Sequence, residues 1–236
     1  MLRFLLALAL SAAALSSGAA PAFEDSMAQR TRACTICHGK EGRAGPDGYY
    51  PRIAGKPAGY LYNQLLNFRD GRRHYALMTR LLDPLSDAYL LEIANHFAGL
   101  DLPYAQPPRS ALANAALERG QALAMQGDAL RGLPACASCH GAALTGVLPN
   151  TPGLLGLPRD YLSAQMGAWR SGQRRAHAPD CMADIARRLG ADDMQAVIGW
   201  IASQPVPAAA KPVAALAKPA PVACGSAALP AGRQAP

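Results

Sequence analysis

The chain has 236 residues, half of them hydrophobic, and 23 Lys and Arg against 16 Asp and Glu give a formal net charge of +7. Aromatic residues make up only 6% and are not interleaved with the basic ones, which argues against a nucleic-acid stacking surface. Apart from a short apolar run at the amino terminus, no stretch is long enough to be a membrane helix.

In chain order, the first feature is a targeting segment. Arg3 precedes the apolar run Phe4 to Leu15, and Ala20-Pro21-Ala22 offers a small-residue cleavage site. A signal peptide over 1–22 is predicted, with the mature chain starting at Phe23 and the periplasm as destination. That compartment permits disulfides.

The mature chain repeats itself. Cys34-Thr35-Ile36-Cys37-His38 returns as Cys136-Ala137-Ser138-Cys139-His140, an offset of 102. At an offset of 101, Pro51, Gly55, Tyr60-Leu61, Gln64, Arg69 and Gly71 return as Pro152, Gly156, Tyr161-Leu162, Gln165, Arg170 and Gly172. Met78 and Leu85 return as Met182 and Leu189 at 104. Each copy reads as helices and loops, without strand alternation. One helix carries the first cysteine of each motif, and another covers about 58–70 and 159–171. A third starts near Ser86, an N-cap, and near Ala191 in the second copy, each with an apolar core stripe. The predicted units are 23–102, a proline-rich linker 103–110, a second unit 111–204, and an Ala/Pro-rich tail 205–236 too poor in large apolar side chains to fold alone.

Cys-x-x-Cys-His is the haem c attachment pattern. Two thiols add across the porphyrin vinyl groups, and the histidine that follows reaches the iron. Zinc would require further paired Cys or His at ligand spacing, which this chain lacks. Two covalent haems are therefore expected, on Cys34 and Cys37 and on Cys136 and Cys139, with His38 and His140 on the irons. Met78 follows His38 by 40 residues and Met182 follows His140 by 42. Methionines kept in register are the expected sixth ligands, and iron held by His and Met has no open position for a substrate. Haem propionates would lower the net charge, so whole-protein charge is a weak guide to partners.

With both motifs followed by Gly39 and Gly141, and with Pro51…Gly55, Tyr60-Leu61, Gln64-Leu65, Phe68-Arg69-Asp70-Gly71-Arg72, Met78 and Leu85-Ser86-Asp87, the sequence resembles the cytochrome c4 family. The second copy carries the same pattern through Pro152…Gly156, Tyr161-Leu162, Gln165, Gly172 and Met182. The resemblance covers nearly all of 24–204. It implies an all-α fold of two tandem class I cytochrome c domains. It also implies electron transfer from a donor complex or dehydrogenase to a terminal acceptor such as an oxidase, and carbonyls of Pro51 and Pro152 that bond the ligand imidazoles. The family's usual Gln after Pro-x-x-x-Gly is here Lys56 in one copy and Leu157 in the other, and the first copy has a shortened entry to its motif.

Several alternatives stay open at this level. Cys181 and Cys224 form a disulfide tying down the tail, or remain free thiols, or Cys181 ligates the second iron as in thiosulfate dehydrogenase-type enzymes. A peroxidase-type enzyme, or a cytochrome subunit docked on a dehydrogenase, would also use two haems. His74, His96 and His177 are alternative ligands, and the matched Arg69, Arg72, Arg73 and Arg170, Arg174, Arg175 are candidate propionate partners. Peripheral contact of the tail with a membrane is a further expectation; no nucleic-acid partner is.

Overall fold

A computed structural model describes residues 24–230; the expected signal segment lies outside the described residues. Two apolar clusters form separate cores. The first gathers Leu61, Leu66, Phe68, Leu82, Leu90, Ile93 and Phe97. The second gathers Leu123, Leu144, Leu155, Met194, Val197, Ile198 and Ile201.

The first half runs α1 (Met27–Arg30), α2 (Arg32–His38), α3 (Ala58–Arg69), α4 (Ala76–Leu82) and α5 (Asp87–Ala98). The second runs α6 (Asn114–Met125), α7 (Ala137–His140), α8 (Arg159–Arg170), α9 (Cys181–Arg188) and α10 (Ala191–Ser203). Ser86 caps α5, its Oγ accepting from the Tyr89 N–H. In the first half α3 packs on α5 and α4, and in the second α6 lies along α10. The α6–α10 crossing is close because Gly120 has no side chain: a Cβ there would sit 2.2 Å from the Ala196 carbonyl oxygen. The four-residue α1 stands where the second half has the twelve-residue α6.

Three local outcomes go beyond the residue pattern. Beside the helices lies one two-residue antiparallel hairpin, β1 (Gly146–Val147) with β2 (Thr151–Pro152). It is too short for alternation to register in sequence. The linker is fastened rather than merely stiff: Arg52 donates to the carbonyls of Leu102 and Pro103 and lies over the Tyr104 ring. The described part of the tail, 205–230, forms no helix or strand but is pinned along its length. Val213 exchanges backbone bonds with the β1 region, Lys211 pairs with Asp101, and Cys224 is disulfide-bonded to Cys181. Farther on, Ala227 N–H donates to Asn63 Oδ1 in the first half. Low apolar content stops this segment folding alone, but a surface that accepts its backbone bonds can still order it.

Candidate functional site

Each motif sits at a helix end with its histidine last. Gly39 follows His38 at φ +75°, and a Cβ there would meet the Ala44 carbonyl oxygen at 2.3 Å, so only glycine turns the chain here. That turn and the loop beyond bring Pro51 back to the ring. His38 Nδ1 donates to the Pro51 carbonyl at 2.8 Å, and His140 Nδ1 donates to that of Pro152 at 2.7 Å. A carbonyl only accepts, so the proton sits on Nδ1 and Nε2 keeps its lone pair for a metal. Burial lowers the pKa of both imidazoles against the opposing pull of the proline carbonyls, and the charges of Arg73 and Lys56 lower His38 and His140 respectively. Both rings are held in the neutral, ligating form.

Cys34, Cys37, Cys136 and Cys139 are not in disulfides. Burial raises the thiols of Cys34 and Cys139 and pushes Cys136 up to about 11. A thiol–disulfide or zinc centre depends on depressed thiols, and among the described residues no group of three or more His, Cys, Asp or Glu could hold a metal.

Met78 lies on α4 and Met182 on α9, the latter helix capped by Asp180, whose Oδ1 accepts from the Ala183 N–H. Both methionines, both histidines and all four motif cysteines line one continuous cavity of about 790 Å³. Its walls are largely apolar, which fits a porphyrin. Cys181 also borders the cavity, with its sulfur bonded to Cys224. His74 is exposed at the cavity rim, while His96 stacks edge-on against Phe97 away from it.

Between the halves lies a polar interface with approximate two-fold symmetry. Arg73 donates to Gln64, Gln165 and Tyr161; Arg174 donates to Gln165 and Gln64, with the Tyr60 phenol close by. Its backbone mates follow the same axis: His74 N–H to Gln173 O, and Arg175 N–H to Arg72 O. The two guanidiniums are buried, line the cavity and have no carboxylate partner among the described residues. Trp169 Nε1 and His177 Nε2 also border the cavity, buried and without a hydrogen-bond partner in the described structure. Buried cations and an unsatisfied indole N–H are the complement of carboxylates, so Arg73, Arg174 and Trp169 fit haem propionates. The other matched arginines are engaged elsewhere or exposed: Arg69 and Arg72 pair with Asp70, Arg175 reaches the Gly71 carbonyl, and Arg170 is exposed. The interface roles of Gln64, Gln165, Tyr60 and Tyr161 were missed in sequence, although their register at 101 was the signal.

The cytochrome c family model matches residues 117–205. A cytochrome c4 of Pseudomonas aeruginosa is 32% identical over 189 residues, 78% of this chain and 91% of that one. This chain belongs to the cytochrome c4 family. A thiosulfate dehydrogenase electron acceptor of Thiomonas intermedia is 38% identical over 188 residues, 80% of this chain and 86% of that one. The crystal structure of reduced recombinant cytochrome c4 from Pseudomonas stutzeri superposes with a TM-score of 0.64 at 28% identity, covering 75% of this chain and 96% of the other. As a cytochrome c4 relative the chain is an electron-transfer protein built from tandem class I cytochrome c domains, and it carries covalent haem c.

Proposed function

We propose that this cytochrome c4 relative is a dihaem electron carrier of the periplasm and not an enzyme. One haem is held by Cys34 and Cys37 with His38 and Met78 on its iron, the other by Cys136 and Cys139 with His140 and Met182. The observation that carries this reading is the duplicated ligand geometry: two Nδ1-to-proline bonds, and a methionine for each histidine, on one apolar cavity. Covalently bound haem supplies an iron that cycles between ferric and ferrous states. The protein's part is to hold a proton on each Nδ1, direct each Nε2 and thioether inward, keep water from the cavity, and offer Arg73, Arg174 and Trp169 to carboxylates.

The Cys181–Cys224 bond favours the carrier over the enzyme reading, because a sulfur in a disulfide is not a thiolate ligand. The disulfide also suits an oxidising compartment, in line with the signal segment expected over 1–22. The similarity to a thiosulfate dehydrogenase electron acceptor supports such a dehydrogenase as donor, with a terminal oxidase or like protein as acceptor.

The test is optical. Ferric iron held by His and Met has a weak far-red sulfur-to-iron band. Met78→Ala and Met182→Ala should each remove about half of it, and the double variant all of it. A band untouched by either change would overturn the ligand assignment, and thiosulfate or peroxide turnover by the purified holoprotein would overturn the carrier reading.

A further inference from the structure

One cation in the interface breaks its two-fold symmetry. Lys56 belongs to the first half, five residues after Pro51, and is almost fully buried. Its side chain crosses to the second half, where Nζ donates to the Gly153 carbonyl at 2.9 Å. Gly153 follows Pro152, whose own carbonyl holds His140. The ammonium therefore lies beside the histidine side of the second site, on the wall of the shared cavity. At the matching position of the second half stands Leu157, also buried, so the first site receives no counterpart. Arg73 and Arg174 are exchanged by the two-fold axis and act on both sites alike; Lys56 is not.

No carboxylate of the described residues pairs with Lys56. Burial and the nearby Arg52 guanidinium push its ammonium down to about 7 in the protein alone; a carboxylate sharing its space would raise it again and keep it charged. An unpaired buried ammonium with a single carbonyl acceptor is costly unless an anion shares its space. Haem propionates are such anions, and an iron that takes up an electron becomes more negative by one charge.

We propose that Lys56 tunes the second site. Its buried positive charge, aimed across the interface at the His140 side, favours the ferrous state of the iron held by His140 and Met182 over that of the iron held by His38 and Met78. This rests on the dihaem reading above. Lys56 touches no iron; it acts through charge and through the Gly153–Pro152 segment that orients His140. At the low effective dielectric of a buried interface, one unit charge is large enough to bias electron sharing between two like centres.

The experiment is a spectroelectrochemical titration of the holoprotein with Lys56→Met, which keeps the length and removes the charge, and with Lys56→Gln. NMR assigns the two irons, the second being the one whose signals change in Met182→Ala. Electron sharing should move at least tenfold toward the first iron, which is 59 mV for a one-electron couple, while the midpoint of the first iron stays within a small fraction of that. The exchange Lys56→Leu with Leu157→Lys should move the bias the other way. Two haems with an intact far-red band and unmoved or equally moved midpoints would overturn the role of Lys56 and leave the dihaem reading standing. Absence of the second haem or its band in the unaltered protein would instead overturn the dihaem reading.

Discussion

Two helical glycines of the second domain should respond oppositely to the same substitution. Helix propensity alone favours Ala over Gly by about 0.8–1 kcal/mol at either site. At Gly167 on α8 a Cβ would meet nothing within 4 Å. Gly167→Ala should stabilise by roughly 0.5–1 kcal/mol and raise the second domain's Tm by about 2–8 °C. At Gly120 the same atom would lie 2.2 Å from the Ala196 carbonyl oxygen, 2.7 Å from its carbon and 2.9 Å from Trp200 Cβ. None of these is the free end of a flexible side chain, so α6 and α10 must part. Overpacking costs about 1–3 kcal/mol; a clash with backbone falls in the upper part of that range, about 2–3 kcal/mol, leaving a net loss of roughly 1–2 kcal/mol and a Tm lower by about 4–16 °C. Thermal unfolding of both holoproteins, followed by circular dichroism, reads the difference. A Gly120→Ala protein that melts higher than the unaltered one would refute the close crossing and the packing role given to Gly120.

Cys224→Ser should destabilise the second domain, because the Cys181–Cys224 link spans a sequence separation of 43 and constraining such a loop in the unfolded chain is worth about 4 kcal/mol; denaturant unfolding with and without reductant checks this, and equal midpoints would contradict it. The Asp193 carboxylate, bonded first by Arg119 and also by Arg131, is held down to about 2. A depressed acid contributes stability above its unfolded range near 4, and that stability is lost as pH falls toward 2. The contribution is on the order of 1 kcal/mol after solvent screening, and Arg119→Ala should flatten the acid limb of the stability profile. Tyr161→Phe removes one acceptor of Arg73 across the interface; a loss of about 1 kcal/mol in domain docking is expected, read as faster hydrogen exchange at the His74 and Arg175 amides.

Much of the site was legible because it is written in short-range chemistry. Each attachment motif spans five residues, and the helix read over 58–70 is found as Ala58–Arg69. The proline carbonyls needed the family resemblance, since 13 residues separate His38 from Pro51 and no local rule joins them. The helices that carry Met78 and Met182 escaped notice because they have only seven and eight residues, about two turns each. Composition described the tail as unable to fold by itself, and its described part, 205–230, forms no helix or strand. Its attachments at Asn63 and Cys181 depend on surfaces made by distant parts of the chain. The arginines were the hardest to read. Six stood at matched places, but only tertiary geometry separates Arg73 and Arg174, which face the cavity, from Arg69 and Arg72, which answer Asp70.

The approximate two-fold axis has an evolutionary consequence. In a homodimer every change is made twice, so a lysine gained at an interface position appears in both subunits and meets its own copy's surroundings there. Fusing the two copies into one chain lifts that constraint. Arg73 and Arg174 exchange partners with Gln64 and Gln165 as two identical subunits would, whereas positions 56 and 157 are Lys and Leu. Duplication within one polypeptide thus lets a symmetric contact surface persist while the two halves it joins become chemically unequal.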